Sequence, residues 1–217
     1  MVNWSEIDTV LLDMDGTLLD LHYDNYFWLQ HLPQRYSELN GRPLGEVQHQ
    51  LQTLSDSLQG NLLWYCLDHW SEQLQMDLLP LKQEVAHLIR FRADSERFLG
   101  FLRQQGKRAV LVTNAHPTIM TLKVEICGLQ RYLDASYSSH PFGLAKENPG
   151  FWAQLRQAGQ FDYTRCLFID DSPSVLHCAR REGLEHLLQV LQPDSSQPPR
   201  EPGDFRGFNR FAELMPA

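Results

Sequence analysis

An α/β fold, built on a parallel Rossmann-like sheet and carrying an all-helical insertion, is what this 217-residue sequence predicts. Three observations carry that expectation. Fully apolar runs of strand length recur along the chain. From about residue 94 onward they alternate with helix-like stretches, and residues 21–92 show helical periodicity with no convincing strand. Alternating strands and helices pack as a parallel sheet with helices on its faces, and unbroken apolar runs are the mark of strands buried on both faces.

The first strand is Thr9-Val-Leu-Leu12. In the stretch after it, apolar residues recur three or four apart: Tyr26, Leu29, Leu32; Val47, Leu51, Leu54; Leu63, Leu67, Trp70, Leu74. That spacing lines one face of a helix, so residues 21–92 are expected to form a helical domain inserted into a core made of 1–20 and 93–217. The core resumes with a helix from about Asp94, through Phe98, Phe101 and Leu102, to a stop at Gly106. A strand at Ala109-Val-Leu-Val112 follows, then a helix from about Thr118 to Cys127 with Gly128 placed to end it. Asp134-Ala-Ser-Tyr-Ser138 is a more polar strand candidate. Cys166-Leu-Phe-Ile169 is another buried strand, followed by a helix opening at Pro173 and ending before Gly183, with Ser172 as its expected N-cap. The last strand is expected at His186–Leu191. Residues 193–204 hold four prolines, so they form a loop leading to a short amphipathic tail, Phe205–Leu214.

Composition narrows the function classes. Hydrophobic residues at 42% and charged residues at 21% exclude wholesale disorder. Nineteen basic against 27 acidic residues give a net charge of −8, which argues against a broad nucleic-acid surface while leaving room for a small phosphate pocket. Cys66, Cys127, Cys166 and Cys178 form no CxxC pair and no clustering with histidine along the chain, so they are expected to be buried thiols of a reducing compartment. The N-terminus lacks a signal peptide's pattern, and the longest apolar run, Leu62–Leu67, is too short to span a membrane. A cytoplasmic protein is expected.

Chemistry gathers where strands end. Leu11-Leu12 runs into Asp13-Met-Asp15-Gly16-Thr17, Val110–Val112 into Thr113-Asn114, and Leu167–Ile169 into Asp170-Asp171-Ser172. Ligands of open parallel sheets bind beyond the carboxyl ends of the strands, so three strands deliver these groups to one rim, joined by Lys146 from Phe142-Gly-Leu-Ala-Lys-Glu-Asn-Pro149. Asp13, Asp15 and Asp170 would repel one another without a cation. An all-oxygen ligand set with open positions suits Mg²⁺. A carboxylate can attack phosphorus, and a second one two residues on can protonate the leaving oxygen and later activate water. Gly16 removes a Cβ where the chain turns tightly. Thr113 and Lys146 offer a hydroxyl and a positive charge to phosphate oxygens, and Asn114 is a further phosphate neighbour.

The order DxDGT, strand-end Thr, Lys and strand-end Asp-Asp resembles the haloacid dehalogenase superfamily over essentially the whole chain. Within it, Leu11–Leu21, Asp24-Asn-Tyr-Phe-Trp28, Leu63-Trp-Tyr-Cys-Leu-Asp-His-Trp70, Thr113-Asn-Ala-His-Pro117 and Phe168–Ser172 are most similar to the bacterial GMP/IMP 5′-nucleotidases. The resemblance implies that residues 21–92 are a type 1 cap, Asp13 the nucleophile and Asp15 the general acid/base. It implies Mg²⁺ on the Asp13 carboxylate, the Asp15 backbone carbonyl and Asp170, supported by Asp171, with Thr113 and Lys146 on the phosphoryl group. The implied partner is a purine nucleoside monophosphate, GMP or IMP. Asn25, Tyr26, Trp64 and Tyr65, with Trp28, are candidates to meet its nucleoside, since aromatic faces suit planar bases. The chain departs from many relatives in carrying Lys146-Glu147 where they have Lys-Pro. The rivals are a sugar-phosphate or phosphoglycolate-type phosphatase with the same machinery and, outside enzymes, a receiver-like phosphoacceptor or an inactive scaffold.

Overall fold

The computed structural model describes residues 2–216. Six parallel strands form one sheet: β1 (Thr9–Leu12), β2 (Arg108–Thr113), β3 (Ala135–Ser138), β4 (Cys166–Asp170), β5 (His186–Val190) and β6 (Gly207–Phe208). Their order is β3-β2-β1-β4-β5-β6. Leu12 is in register with Leu111 on one side and Ile169 on the other. The chain therefore builds outward from β1 in one direction and then returns to build in the other, which opens a crevice at the carboxyl end of β1.

Side-chain alternation sorts the buried strands into two cores. Val10, Leu12, Leu111 and Ile169 pack on one face with Phe98, Leu99 and Leu102 of α6 (Ser95–Gln104) and Ile119 of α7 (Pro117–Cys127). Leu11, Val110, Val112 and Phe168 pack on the other with Trp152 and Leu155 of α8 (Pro149–Gly159) and Val175 and Leu176 of α9 (Pro173–Arg181). A period of two on a sheet covered on both sides has this outcome.

Between β1 and β2 the chain is helical: α1 (His22–Tyr26), α2 (Leu32–Asn40), α3 (Leu44–Leu58), α4 (Leu67–Leu74) and α5 (Leu78–Glu84), with short 3₁₀ turns at Leu62–Tyr65 and Ala86–Leu88. The expected apolar stripe is right in α3 and α4, where Val47, Leu51, Leu67, Trp70 and Leu74 are buried. It is wrong in the first helices. Tyr26 is only half-buried and Leu29 is exposed, while Tyr23, Phe27 and Leu32 form the buried face. The cause is a π-turn at Phe27–His31 joining α1 to α2. Its wider winding takes in an extra residue, so the buried positions run i, i+4, i+9 and the regular period loses its phase.

The two chain crossings into this insertion lie side by side. Leu19 bridges Phe91 antiparallel, the Asp20 N–H donates to the Arg90 carbonyl (3.0 Å) and the Arg92 N–H to the Leu18 carbonyl (2.9 Å). The buried Arg92 guanidinium then donates to the carbonyls of Thr17, Gln192 and Asn209, tying the base of the insertion to the core.

Two further corrections concern the carboxyl-terminal half. The segment expected to be an amphipathic tail instead adds β6 to the sheet edge and ends in a 3₁₀ turn at Phe211–Leu214, whose Phe211 stacks on Phe98 with centroids 4.6 Å apart. Ser172 stands at the N-cap position of α9 but makes no capping hydrogen bond; its hydroxyl pairs with that of Ser174. Among the described residues no helix is long and apolar enough to cross a membrane.

Candidate active site

The sheet order sets β2, β1 and β4 side by side, so Asp13, Thr113 and Asp170 emerge at neighbouring strand ends. Asp13 is held at the rim by its own N–H donating to the Ile169 carbonyl (3.0 Å). Carboxylate oxygens of Asp13, Asp170 and Asp171 lie within 4.8 Å of one another. The buried Lys146 Nζ donates to Asp13 Oδ1 at 2.6 Å and to Asp170 Oδ2 at 2.7 Å. Three carboxylates against that one ammonium leave two negative charges in a buried rim. Arg200, half exposed, reaches Asp171 from outside at 3.4 Å.

The electrostatics follow from this crowding. Burial, only partly offset by Lys146, pushes Asp13 and Asp170 up to about 6. Burial and the Asp13 charge push Asp171 up to about 7. Lys146 is held above its ordinary range by Asp13 and Asp170 despite its burial. A hard-oxygen cluster with an excess of two negative charges fits a divalent cation of the Mg²⁺ kind, which would relieve the repulsion that raises these values.

Asp15 faces a different partner. Its Oδ1 accepts from Lys123 Nζ at 2.7 Å, and the same ammonium donates to Asp24 Oδ2 at 2.6 Å. Lys82, over the Phe27 ring at 4.2 Å, donates to Asp24 in turn. The result is a buried alternation of two carboxylates and two ammoniums linking β1's loop to α7, α1 and α5. Burial pushes Asp15 up to about 6 in spite of Lys123, with Asp24 and Asp13 adding repulsion. Burial lowers Lys82 to about 8, whereas burial disfavours the Asp24 charge but is outweighed by Lys123 and Lys82, which hold it low. Asp24, Lys82 and Lys123 were not legible as a group in the sequence; the one hint is Lys123 between Leu122 and Val124 on an otherwise mostly apolar helix.

The other expected residues are placed as follows. Thr113 is buried at the end of β2, its Oγ1 accepting from the Ala115 N–H (3.0 Å). Asn114 Oδ1 accepts from the Lys146 N–H (2.9 Å) and so orients the lysine's loop. Gly16 has φ +85°, and a Cβ there would lie 2.9 Å from both Asp171 Cγ and Pro193 Cβ. The glycine therefore makes room for Asp171 itself. Gly16→Ala is expected to cost about 1–3 kcal/mol of stability and to raise the Mg²⁺ requirement by displacing Asp171. A thermal melt and a metal titration check this; wild-type behaviour in both would mean the rim yields freely at Gly16.

These residues open onto a cavity of about 1220 Å³ between the rim and the helical insertion. Asn25, Trp28, Trp64 and Tyr65 line it; Tyr26 and Gly16 do not. Tyr26 turns instead toward His31, its ring stacked at 6.4 Å, a displacement that follows from the π-turn. Asn25 also donates to Asp194 (2.7 Å), which joins the proline-rich segment to α1. Glu147, the departure after Lys146, accepts from the Tyr65 hydroxyl (2.7 Å) and from Asn114 Nδ2 (3.0 Å), so it bridges the insertion to the rim. A proline at that position could make neither contact.

A model of the haloacid dehalogenase-like hydrolases matches residues 7–175. The GMP/IMP nucleotidase YrfG of Escherichia coli (strain K12) is 38% identical to the chain over 216 residues, covering 100% of this chain and 97% of that protein. The protein of the same name from Shigella flexneri matches equally. Among solved structures, a HAD phosphatase from Thermococcus onnurineus superposes with a TM-score of 0.79 at 19% identity, covering 96% of each chain. The HAD-hydrolase YfnB from Bacillus subtilis, solved bound to magnesium, does so with a TM-score of 0.66 at 19% identity, again over 96% of each chain.

Proposed function

The chain belongs to the haloacid dehalogenase-like hydrolase family and is an enzyme of the phosphatase kind, and from that premise we propose that it is a Mg²⁺-dependent 5′-nucleotidase acting on GMP or IMP. The observation that carries the reaction is the rim itself: Asp13, Asp170 and Asp171 with an excess of two negative charges around Lys146, facing a cavity large enough for a whole organic phosphate. The purine follows from the full-length similarity to YrfG, supported by aromatic surfaces in the cavity wall.

In this reading residues 21–92 form a cap over a core of 1–20 and 93–217. The Asp13 and Asp170 carboxylates and the Asp15 backbone carbonyl, supported by Asp171, would hold Mg²⁺, which would neutralise phosphate oxygens at the rim. An Asp13 carboxylate oxygen attacks phosphorus in line, the bond from phosphorus to the 5′ oxygen breaks, and an aspartyl-phosphate forms. Asp15 gives its proton to the departing oxygen. It then takes a proton from the water that attacks the aspartyl-phosphate, releasing inorganic phosphate and restoring Asp13. Lys123 keeps Asp15 aimed, and its value near 6 leaves both protonation states accessible around neutral pH. Lys146 and Thr113 offset charge on the phosphoryl oxygens. Trp28, Trp64 or Tyr65 offers a face to the base. A cytoplasmic setting, where nucleoside monophosphates are made and consumed, suits this activity.

The test is phosphate release from GMP, IMP, AMP, UMP, phosphoglycolate and several sugar phosphates, with Mg²⁺ and with chelator. Metal-dependent release fastest with GMP or IMP is the expected result. Release favouring sugar phosphates would keep the rim chemistry and reject the purine. Removing one ligand checks the metal separately: Mg²⁺ should raise the melting temperature of the wild-type protein by mass action. Asp170→Asn should shift the half-saturating Mg²⁺ concentration at least ~10-fold upward. An unchanged titration would take Asp170 out of the metal site.

A further inference from the structure

Along the chain the cysteines show no association with histidine, yet folding creates one. Cys66, His116 and His140 bring one ligand-capable atom each to within 4.8 Å of one another. They come from three elements: Cys66 at the start of α4 in the insertion, His116 at the entry to α7, and His140 in the turn after β3. Separations of 50 and 24 residues explain why no spacing motif betrays them.

The surroundings suit ligation. His140 Nε2 is buried with no hydrogen-bond partner among the described residues, a lone pair with nothing to accept. A buried polar atom of this sort is costly unless something satisfies it. A hydrogen bond to the backbone of Asn114 orients the His140 ring, and burial together with the neighbouring His116 lowers its pKa. The two imidazoles meet edge-on at 79° with centroids 5.0 Å apart. His116 Nδ1 has only a long contact, 3.4 Å, from the Thr118 N–H, and Nε2 faces Asp68 Oδ2 at 3.5 Å. A carboxylate behind a ligating histidine is the usual way such a ring is oriented.

The geometry points to a soft-donor metal site at Cys66, His116 and His140, taking a zinc-class transition-metal ion and stapling the insertion to the sheet. One thiolate and two imidazoles select such an ion over Mg²⁺, which prefers oxygen. Zinc bonds of ~2.0–2.3 Å need the three donor atoms to close in by about an ångström, a side-chain adjustment and not a refolding. Water completes the tetrahedron. The three donors share no residue with the Asp13, Asp170 and Asp171 cluster, so the site can be tested separately from the proposed reaction.

Co²⁺ is the probe, because a thiolate ligand gives it an intense near-ultraviolet charge-transfer absorption that carboxylates do not. With Mg²⁺ in excess to occupy the rim, the full-length protein is expected to bind one Co²⁺ per chain with that band, and Zn²⁺ to displace it. The band should be lost in Cys66→Ser and in His140→Gln and kept in Asp13→Asn. A cooperative thermal melt of Cys66→Ser and His140→Gln shows that both still fold; Cys66→Ala replaces the first if it does not. Absence of the band in the wild-type protein overturns the site. So does an equally strong band in His140→Gln, which would mark a lone thiol picking up metal.

Discussion

Replacing Asp13 with Asn is expected to leave a folded protein that has lost phosphate release by about 10⁴-fold or more. An amide is nearly the same shape and its oxygen still accepts from Lys146, so the 2.6 Å contact at the rim survives in kind. What disappears is the proposed nucleophile, since a neutral amide oxygen does not form an aspartyl-phosphate under these conditions. The rim also falls from two excess negative charges to one, which weakens the cation's hold. Initial rates at saturating Mg²⁺, with a thermal melt as the folding control, separate these effects. Acid quenching after mixing with GMP or IMP ³²P-labelled in its 5′-phosphate should trap label on the wild-type chain and none on the variant. Substantial activity in a preparation shown free of deamidation would refute the covalent route.

Asp15→Asn should cost roughly 10²–10⁴ in rate with ordinary phosphate esters, and the form of the loss is diagnostic. In the proposed reaction Asp15 serves both half-reactions, but a substrate whose leaving group departs without protonation, such as p-nitrophenyl phosphate, should bypass its first task. The variant would then release one equivalent of nitrophenol per chain in a burst and stall as the phosphorylated enzyme. Turnover like wild type would remove Asp15 from acid–base work. The ion-pair chain behind it leads to the same test by another route. Lys123 carries Asp15 and Asp24 together, so the Asn variant leaves Asp24 with two ammoniums and should fold normally.

The strand-end residues were legible because their chemistry is written locally. Asp13, Thr113 and Asp170 each stand at the last turn of an apolar run, and a parallel sheet brings such ends to one edge whatever else the chain does. Lys146 became legible only through its place in the order. Contacts between distant positions were not. Asp24, Lys82 and Lys123 lie 58 and 99 residues apart in their pairings, and no one-dimensional pattern marks them. Glu147 looked like a departure from the family's wording, and only the fold shows it between Tyr65 and Asn114. Tyr26 was misplaced because a regular period carried back from Leu32 ignores the phase change at the π-turn between them. Strand β6 is two residues long, too short to carry any alternation. Helix α8 went unpredicted although Asn148 offers a cap and Pro149 a first-turn proline, because glycines at positions 150 and 159 dilute its apolar signal.

The paired crossings at Leu19 and Phe91 have a consequence for how such a protein can change over time. Seen from the sheet, everything between them is a single loop whose two ends are already fastened together. Closing a flexible loop costs only ~0.6 kcal/mol more for each doubling of its length, so added length there costs the core little. Helices there can lengthen, shorten or be exchanged while Arg92 still clasps the base and the strand ends keep their spacing. The insertion can thus vary in length while it stays coupled to the rim at two places, through Asp24 to Lys123 and Asp15 and through Tyr65 to Glu147.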